Sequence, residues 1–305
     1  MRVLVTGGAG FIGSNLVEDL LDSGDEVVVV DNLSTGSLDN LKDLKNVDGS
    51  LKFFEADCSK LASLDIHPDA IYHLGIPSSS PIYRRDPFVV GDAINEMIAV
   101  MEMAKKEGCR VVYAASSSVY SGLMPPHRED MTIKVTDYYT EARLCMERIA
   151  ELYSTLFGVR SVGMRLFSVY GPHERAKSLY ANTVTQFLWG IMEGKRPQIY
   201  GDGSQTRDFI FVRDVVGALR LAMNSDHHGV LNVGTGKSYS FNRVVEMLNE
   251  RMQIDLQPEY IENPIKNYVM HTLADTSKTK GVLGFEARYA LKEGIDELVK
   301  AYSKS

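Results

Sequence analysis

The sequence predicts an α/β fold in which a doubly wound parallel sheet carries a smaller C-terminal lobe. Two observations predict it. Short apolar runs of strand length alternate with stretches whose apolar residues recur at three and four, the texture of successive βαβ units. The first of these units also turns on glycines between strand and helix, and its second strand ends in an acid. Residues 1–5 form a valine- and leucine-rich run of the kind buried on both faces of a parallel sheet. Thr6-Gly7-Gly8-Ala9-Gly10-Phe11-Ile12-Gly13 turns the chain into an amphipathic helix, with Ile12, Leu16 and Leu20 on one face and Val17 and Leu21 beside them. Gly24 closes that helix, and residues 26–30 form a second apolar strand ending at Asp31. Strand-like runs recur at 52–55, 70–74 and 110–114, and 94–105 reads as a helix. Beyond about Gly171 loops dominate, with a helix near 184–192 and small elements after Asn232. The expected division is a Rossmann-type domain over 1–170, joined again by some later segments, and a smaller lobe over 171–305.

Composition narrows the function classes. The 33 basic and 40 acidic residues give a net charge of −7, which argues against a nucleic-acid binder or an anionic-membrane binder. Cys58, Cys109 and Cys145 are odd in number, widely spaced and free of any CxxC pair, so neither a disulfide framework nor a cysteine zinc site is expected. His227 and His228 are adjacent, but no HxxxH or HExxH spacing occurs, and no metal is expected. No apolar run approaches the ~18 residues of a membrane span. The expected setting is cytoplasmic and reducing.

The glycine turn has a specific physical use. A pyrophosphate needs bare backbone N–H groups and a helix N-terminus aimed at it, and Cβ atoms would hold it away. Gly7, Gly10 and Gly13 satisfy GxxGxxG, and Gly8, Gly10 and Gly13 satisfy GxGxxG. Asp31 stands where a carboxylate accepts from the adenosine ribose and repels a 2′-phosphate, which favours NAD over NADP. A glycine turn alone fits an unliganded bend. With the strand, the helix and the terminal acid around it, the reading is a dinucleotide site.

Further segments carry a family resemblance: Tyr72-His73-Leu74-Gly75, Ser116-Ser117-Ser118-Val119-Tyr120, Tyr139 with its following helix, and the long stretch from Gly201-Asp202-Gly203 through Arg207-Asp208-Phe209 to Asp214. Asn232-Val233-Gly234-Thr235-Gly236 and Leu273-Ala274-Asp275 follow in order. With the glycine loop, the chain resembles the extended short-chain dehydrogenase/reductase superfamily, in particular nucleotide-sugar epimerases of the UDP-glucose 4-epimerase kind, from Thr6 to about residue 298. The resemblance implies a NAD-dependent 4-epimerase of a UDP-hexose working through a transient 4-keto sugar. It also implies a homodimer paired through helices around 94–105 and 139–153, and a C-terminal lobe that mainly binds the nucleotide sugar. The implied cofactor set is Gly7, Gly10, Phe11, Ile12, Gly13, Asp31, Asn32, Asp57, Cys58, Leu74, Gly75, Tyr139 and Arg143, with Asp57 meeting the adenine amine.

The chemistry needs a base for a sugar hydroxyl, and a tyrosine serves near neutral pH when a cation stabilises its phenolate. The family supplies that cation as Tyr-x-x-x-Lys on one helix face. Here Tyr139 has Arg143 at that spacing, so arginine replaces lysine, keeping the charge but with a wider planar head. Tyr138 has Ala142 there and no cation. Ser116 matches the serine or threonine that bridges sugar hydroxyl and tyrosine. Ser117 and Ser118 fall where 4,6-dehydratases place Asp-Glu and related decarboxylases keep a Glu at the second position, so the elimination apparatus is missing. The implied substrate set is Ser117, Ser168, Asn182, Arg207 and Lys266, with Arg207 on the diphosphate. Ser168 replaces a common Asn, Lys266 follows Ile265 where an arginine is expected, and Ala93 stands at the Asn of the family's Asn-x-x-Gly-Thr helix start. Asp214 reads as structural, and His73 as the end of a strand beside the cofactor. Two alternatives stay open: another NAD-dependent nucleotide-sugar oxidoreductase, and a non-catalytic NAD-binding protein.

Overall fold

The computed structural model describes residues 1–44, 49–265 and 268–303. Seven strands form one parallel sheet: β1 (Arg2–Thr6), β2 (Glu26–Asp31), β3 (Leu51–Glu55), β4 (Ala70–His73), β5 (Arg110–Ser116), β6 (Ser161–Leu166) and β7 (Gly229–Val233). Their order is β7-β6-β5-β4-β1-β2-β3, the Rossmann-type arrangement expected. β1 lies between β2 and β4, with Val5 opposite Val29 on one side and Tyr72 on the other. The order reverses there, which opens a crevice at the carboxyl ends of the strands.

Successive strand residues point to opposite faces, so each valine run feeds two cores. Val3, Val5, Val27 and Val29 pack with helices α1 (Phe11–Asp22) and, later in the chain, residues 212–223. Leu4, Val28 and Val30 pack against the other side, covered by α2 (Val89–Glu107) and α3 (Tyr138–Phe157). α2 starts five residues before the expected 94 and ends at Gly108, whose left-handed φ of 68° suits a residue without a Cβ. Among the described residues no helix is long and apolar enough to cross a membrane.

β6 escaped the pattern reading because Gly163 and Arg165 interrupt its apolar run. Both have tertiary reasons. A Cβ on Gly163 would meet the Tyr113 hydroxyl at 2.5 Å. Arg165, 3% exposed, reaches Glu147 of α3 with two hydrogen bonds of 2.9 and 2.7 Å and gives a third to Tyr120 Oη at 2.8 Å. Removing one partner of such a buried pair costs ~3–5 kcal/mol, because the other charge is left unpaired in the core.

The second lobe has its own aromatic core of Phe187, Phe209, Phe211 and Phe241 with Leu248, Ile295 and Leu298. Its longer helices are α4 (Thr183–Met192), α5 (Val212–Met223), α6 (Phe241–Met252) and α7 (Leu291–Tyr302), of which α5 returns to the first core. One buried carboxylate ties its loops. Asp208 accepts from Thr235 N–H and hydroxyl at 2.8 and 2.7 Å, from Gly236 N–H at 3.0 Å and from Ala274 N–H at 3.1 Å. Asp214, as expected, is structural: it accepts from the Arg288 and Tyr289 N–H groups, both at 3.0 Å.

Candidate active site

The glycine loop is built for close approach. Gly7 has φ 70°, and a Cβ there would meet Gly75 backbone at 2.5 Å; a Cβ on Gly13 would meet the Gly7 carbonyl oxygen at 2.0 Å. Gly10 is the N-cap of α1 and no side chain caps that terminus, so its positive end is left to an anion. Asp31 ties this loop to β2, accepting from Ala9 N–H at 3.0 Å and Leu33 N–H at 2.8 Å. Burial pushes its carboxyl up, and these backbone donors oppose the shift. The loop therefore fits a dinucleotide pyrophosphate, with an acid held beside it.

A cavity of about 730 Å³ opens over this loop. Every expected cofactor residue lines it: Gly7, Gly10, Phe11, Ile12, Gly13, Asp31, Asn32, Asp57, Cys58, Leu74, Gly75, Tyr139 and Arg143. Ser116, Ser117, Ser168, Asn182 and Arg207 line it as well. Lys266 lies outside the described residues. Asp57 caps the short helix Cys58–Ser63 through Ser59 N–H at 2.9 Å. Asn182 caps α4 through Val184 N–H at 3.0 Å, which leaves its amide nitrogen as the end able to serve a ligand. The Arg207 guanidinium lies over the Phe241 and Tyr268 rings and donates to the Thr206 and Met270 carbonyls at 2.9 and 3.2 Å.

Tyr139 and Ser116 meet. The tyrosine hydroxyl donates to Ser116 Oγ at 3.2 Å, and the same oxygen accepts from Ser118 N–H at 3.1 Å. Asp137 caps α3 through Thr140 N–H at 2.8 Å, which places Tyr139 in the first turn. Arg143, 2% exposed, sits one turn on, its guanidinium 4.9 Å from the Tyr139 ring centre. Its terminal nitrogens donate to the Ala114 and Pro77 carbonyls at 3.1 and 2.8 Å. Those carbonyls fix the wide arginine head. Burial works against its charge, but Tyr139 and Tyr83 outweigh it and strengthen its hold on the proton. Tyr138 is 52% exposed and does not line the cavity.

The structure adds lining residues that sequence reasoning missed: Arg85, Glu96, His127, Lys177, Tyr180 and Thr272. Lys177 pairs with Glu174 at 3.7 Å and lies 5.3 Å from the Phe11 ring centre. His127 is buried and stacked on Tyr120 at 5.0 Å. No spacing signal marks these residues, because separate helices and loops bring them in. His73, at the end of β4, is fully buried and bonds Thr6 Oγ1 at 2.7 Å; burial and Arg143 push it down to about 3.

A glycine loop at the switch point of a parallel sheet, facing a Ser–Tyr–cation group, defines a dinucleotide-dependent enzyme fold of the Rossmann type. The chain belongs to the NAD dependent epimerase/dehydratase family, whose model matches residues 3–234. It is 32% identical over 303 residues to UDP-glucuronic acid decarboxylase 6 of Arabidopsis thaliana, covering 97% of this chain and 87% of that protein. UDP-glucose 4-epimerase of Thermotoga maritima, solved with UDP-glucose, superposes with a TM-score of 0.92 at 30% identity, over 100% of this chain and 99% of that one. UDP-N-acetylglucosamine 4-epimerase of Methanobrevibacter ruminantium M1, solved with UDP-N-acetylmuramic acid, gives 0.92 at 30% identity, over 99% and 98%.

Proposed function

We propose that this protein is a NAD-dependent 4-epimerase of a UDP-hexose, acting on UDP-glucose and UDP-galactose or on their N-acetyl forms. The observation that carries the reading is where the carboxyls sit. Among the described residues, those lining the cavity are Asp31, Asp57, Asp92 and Glu96, all on elements of the cofactor half. Ser116, which bonds the Tyr139 hydroxyl, and the two residues after it, Ser117 and Ser118, line the cavity with hydroxyls instead. Water elimination or assisted decarboxylation asks for a carboxyl acid or base there. Proton exchange at one hydroxyl needs only the tyrosine and its relay.

In this reading Tyr139 Oη takes the C4 hydroxyl proton, directly or across its hydrogen bond to Ser116, and returns it when the alcohol re-forms. NAD, when bound, supplies the acceptance and return of hydride at that carbon. Arg143 holds the ribose side of the cofactor and supports the phenolate. Arg207 and Asn182 anchor the nucleotide diphosphate while the sugar, gripped by hydroxyl groups, turns to present its other face. The homodimer belongs to the same reading: Ile98 on α2 and Leu152, Leu156 and Phe157 on α3 are exposed apolar side chains that a second copy would cover.

The second reading is decarboxylation of UDP-glucuronic acid, favoured by the Arabidopsis relative. Oxidation at C4 turns a uronic acid into a β-keto acid, which sheds carbon dioxide. One experiment separates the two: incubate the protein with UDP-glucose, UDP-galactose, their N-acetyl forms and UDP-glucuronic acid, then resolve products by chromatography and mass spectrometry. Epimers of unchanged mass support the proposal. A product lighter by carbon dioxide or water overturns it.

A further inference from the structure

The cofactor half holds a carboxyl that the proposed reaction does not use. Glu96, on α2, is 5% exposed, lines the cavity, and has a buried Oε2 with no hydrogen-bond partner. The family's helix start, Asn-x-x-Gly-Thr, has its first position at Ala93, so Glu96 falls at the glycine. A long acidic side chain occupies a place that pattern leaves empty. Arg143 lines the same cavity, and its buried Nε also lacks a partner. Two of the chain's departures from the family pattern, an arginine and a glutamate, thus face one cavity.

The surroundings of Glu96 disfavour a carboxylate. Burial is the largest influence, Asp57 and Asp92 act in the same direction, and Arg143 alone opposes them; the carboxyl is pushed up to about 8. Cys58 and Tyr83 are the other titratable groups coupled to it, from the short helices Cys58–Ser63 and Ser80–Arg85. β4 contributes His73, which is held neutral and coupled to Arg143. β5 contributes Tyr113, whose charged neighbours are Glu147, Arg165 and Glu151.

We propose that Glu96 is a positioning residue for the cofactor: as a neutral acid it leaves the charge of Arg143 free to hold the anionic dinucleotide, and on losing its proton it cancels that charge and loosens the cofactor. This rests on the NAD reading of the site. The sign follows from linkage: if NAD seats on the protonated form, binding above the Glu96 pKa takes up a proton, and affinity falls as pH rises.

The test is calorimetric titration of the cofactor-free protein with NAD between pH 7 and pH 9. Repeating it at pH 8.5 in buffers of different ionisation enthalpy counts the protons exchanged. The expected result is a loss of up to ~10-fold in affinity per pH unit above the Glu96 pKa, with net proton uptake at pH 8.5. In Glu96→Gln both effects should vanish. In Arg143→Gln the affinity should be lower at pH 7 and its pH slope flatter. NAD that binds at pH 7 with no proton uptake at pH 8.5 overturns the role of Glu96 and leaves NAD dependence standing. So does a slope that survives in Glu96→Gln. If NAD fails to bind at any pH, both readings fall. Proton counting needs no variant, so the proposal stays testable even where Glu96→Gln does not fold.

Discussion

Gly7, Gly10 and Gly13 reach the cavity from one bend of chain, whereas Ser168, Asn182, Arg207 and Thr272 reach it from four separate segments. The cofactor half is local, built on the ends of adjacent strands and steered by sterics that forbid a Cβ. The other half, the sugar side in the proposed reading, is assembled from separate segments held by distant hydrogen bonds, several of them gathered on Asp208. The difference teaches where substitutions should act. Changes in the cofactor half should alter which dinucleotide binds and how tightly; changes in the sugar half should alter substrate affinity alone. Tyr139 stands at the seam.

The largest effect is expected at that seam. Tyr139→Phe removes the proton carrier, and such groups are worth ~10²–10⁴-fold in rate, so turnover should fall by that much while calorimetry still finds NAD bound. A variant as active as the parent would end the catalytic assignment. Next comes Arg207→Ala, which touches the sugar half only. Losing charge-assisted hydrogen bonds to a diphosphate should raise KM about 10–100-fold, with NAD affinity unmoved. A fall in NAD affinity as well would show that the two halves are not separable. Arg143→Ala should lower both turnover and NAD affinity, and Arg143→Lys should keep substantial activity.

Smaller effects belong to the cofactor half. Asp31→Asn should narrow the preference for NAD over NADP by about tenfold, since a like-charge contact near the surface is worth on the order of 1–4 kcal/mol. Equal binding of both dinucleotides by the parent would contradict it. Glu96→Gln should raise the melting temperature of the cofactor-free protein by a few degrees at pH 8. In the unfolded chain this carboxyl ionises above ~4.3, while in the fold it keeps its proton to about 8. The native state therefore holds the extra proton across that window, and its stability declines as pH rises through it. The parent and Glu96→Gln should converge at pH 4.

The same contrast decides what could be read before the fold was known. Gly7, Gly13 and Asp31 were legible because their requirement is local: a bend, a helix start and a strand end within one unit. Tyr139 and Arg143 were legible through helical spacing joined to a resemblance. Glu96 was not, since a glutamate on a helix reads as a solvated face until α2 is packed against residues 58–63. Lys177, Tyr180 and Thr272 carry no spacing relation to the rest of the site. β6 hid behind Gly163 and Arg165, two residues chosen by Tyr113 and Glu147 rather than by strand pattern.

The pair between Arg165 and Glu147 reaches further than the core it fills. Tyr139, Arg143 and Glu147 follow one another every four residues, so all three share a stripe of α3 turned toward the sheet. Each residue advances a helix by about 100°. Two hydrogen bonds from Arg165 hold the far end of that stripe, and Ser116 and the Ala114 carbonyl hold the near end. Like a shaft keyed at both ends, α3 has one angular setting in which all of these bonds close. The Tyr139 phenol, the proton carrier of the proposed reaction, is thus aimed in part by a charge pair two helical turns away that lies in the core.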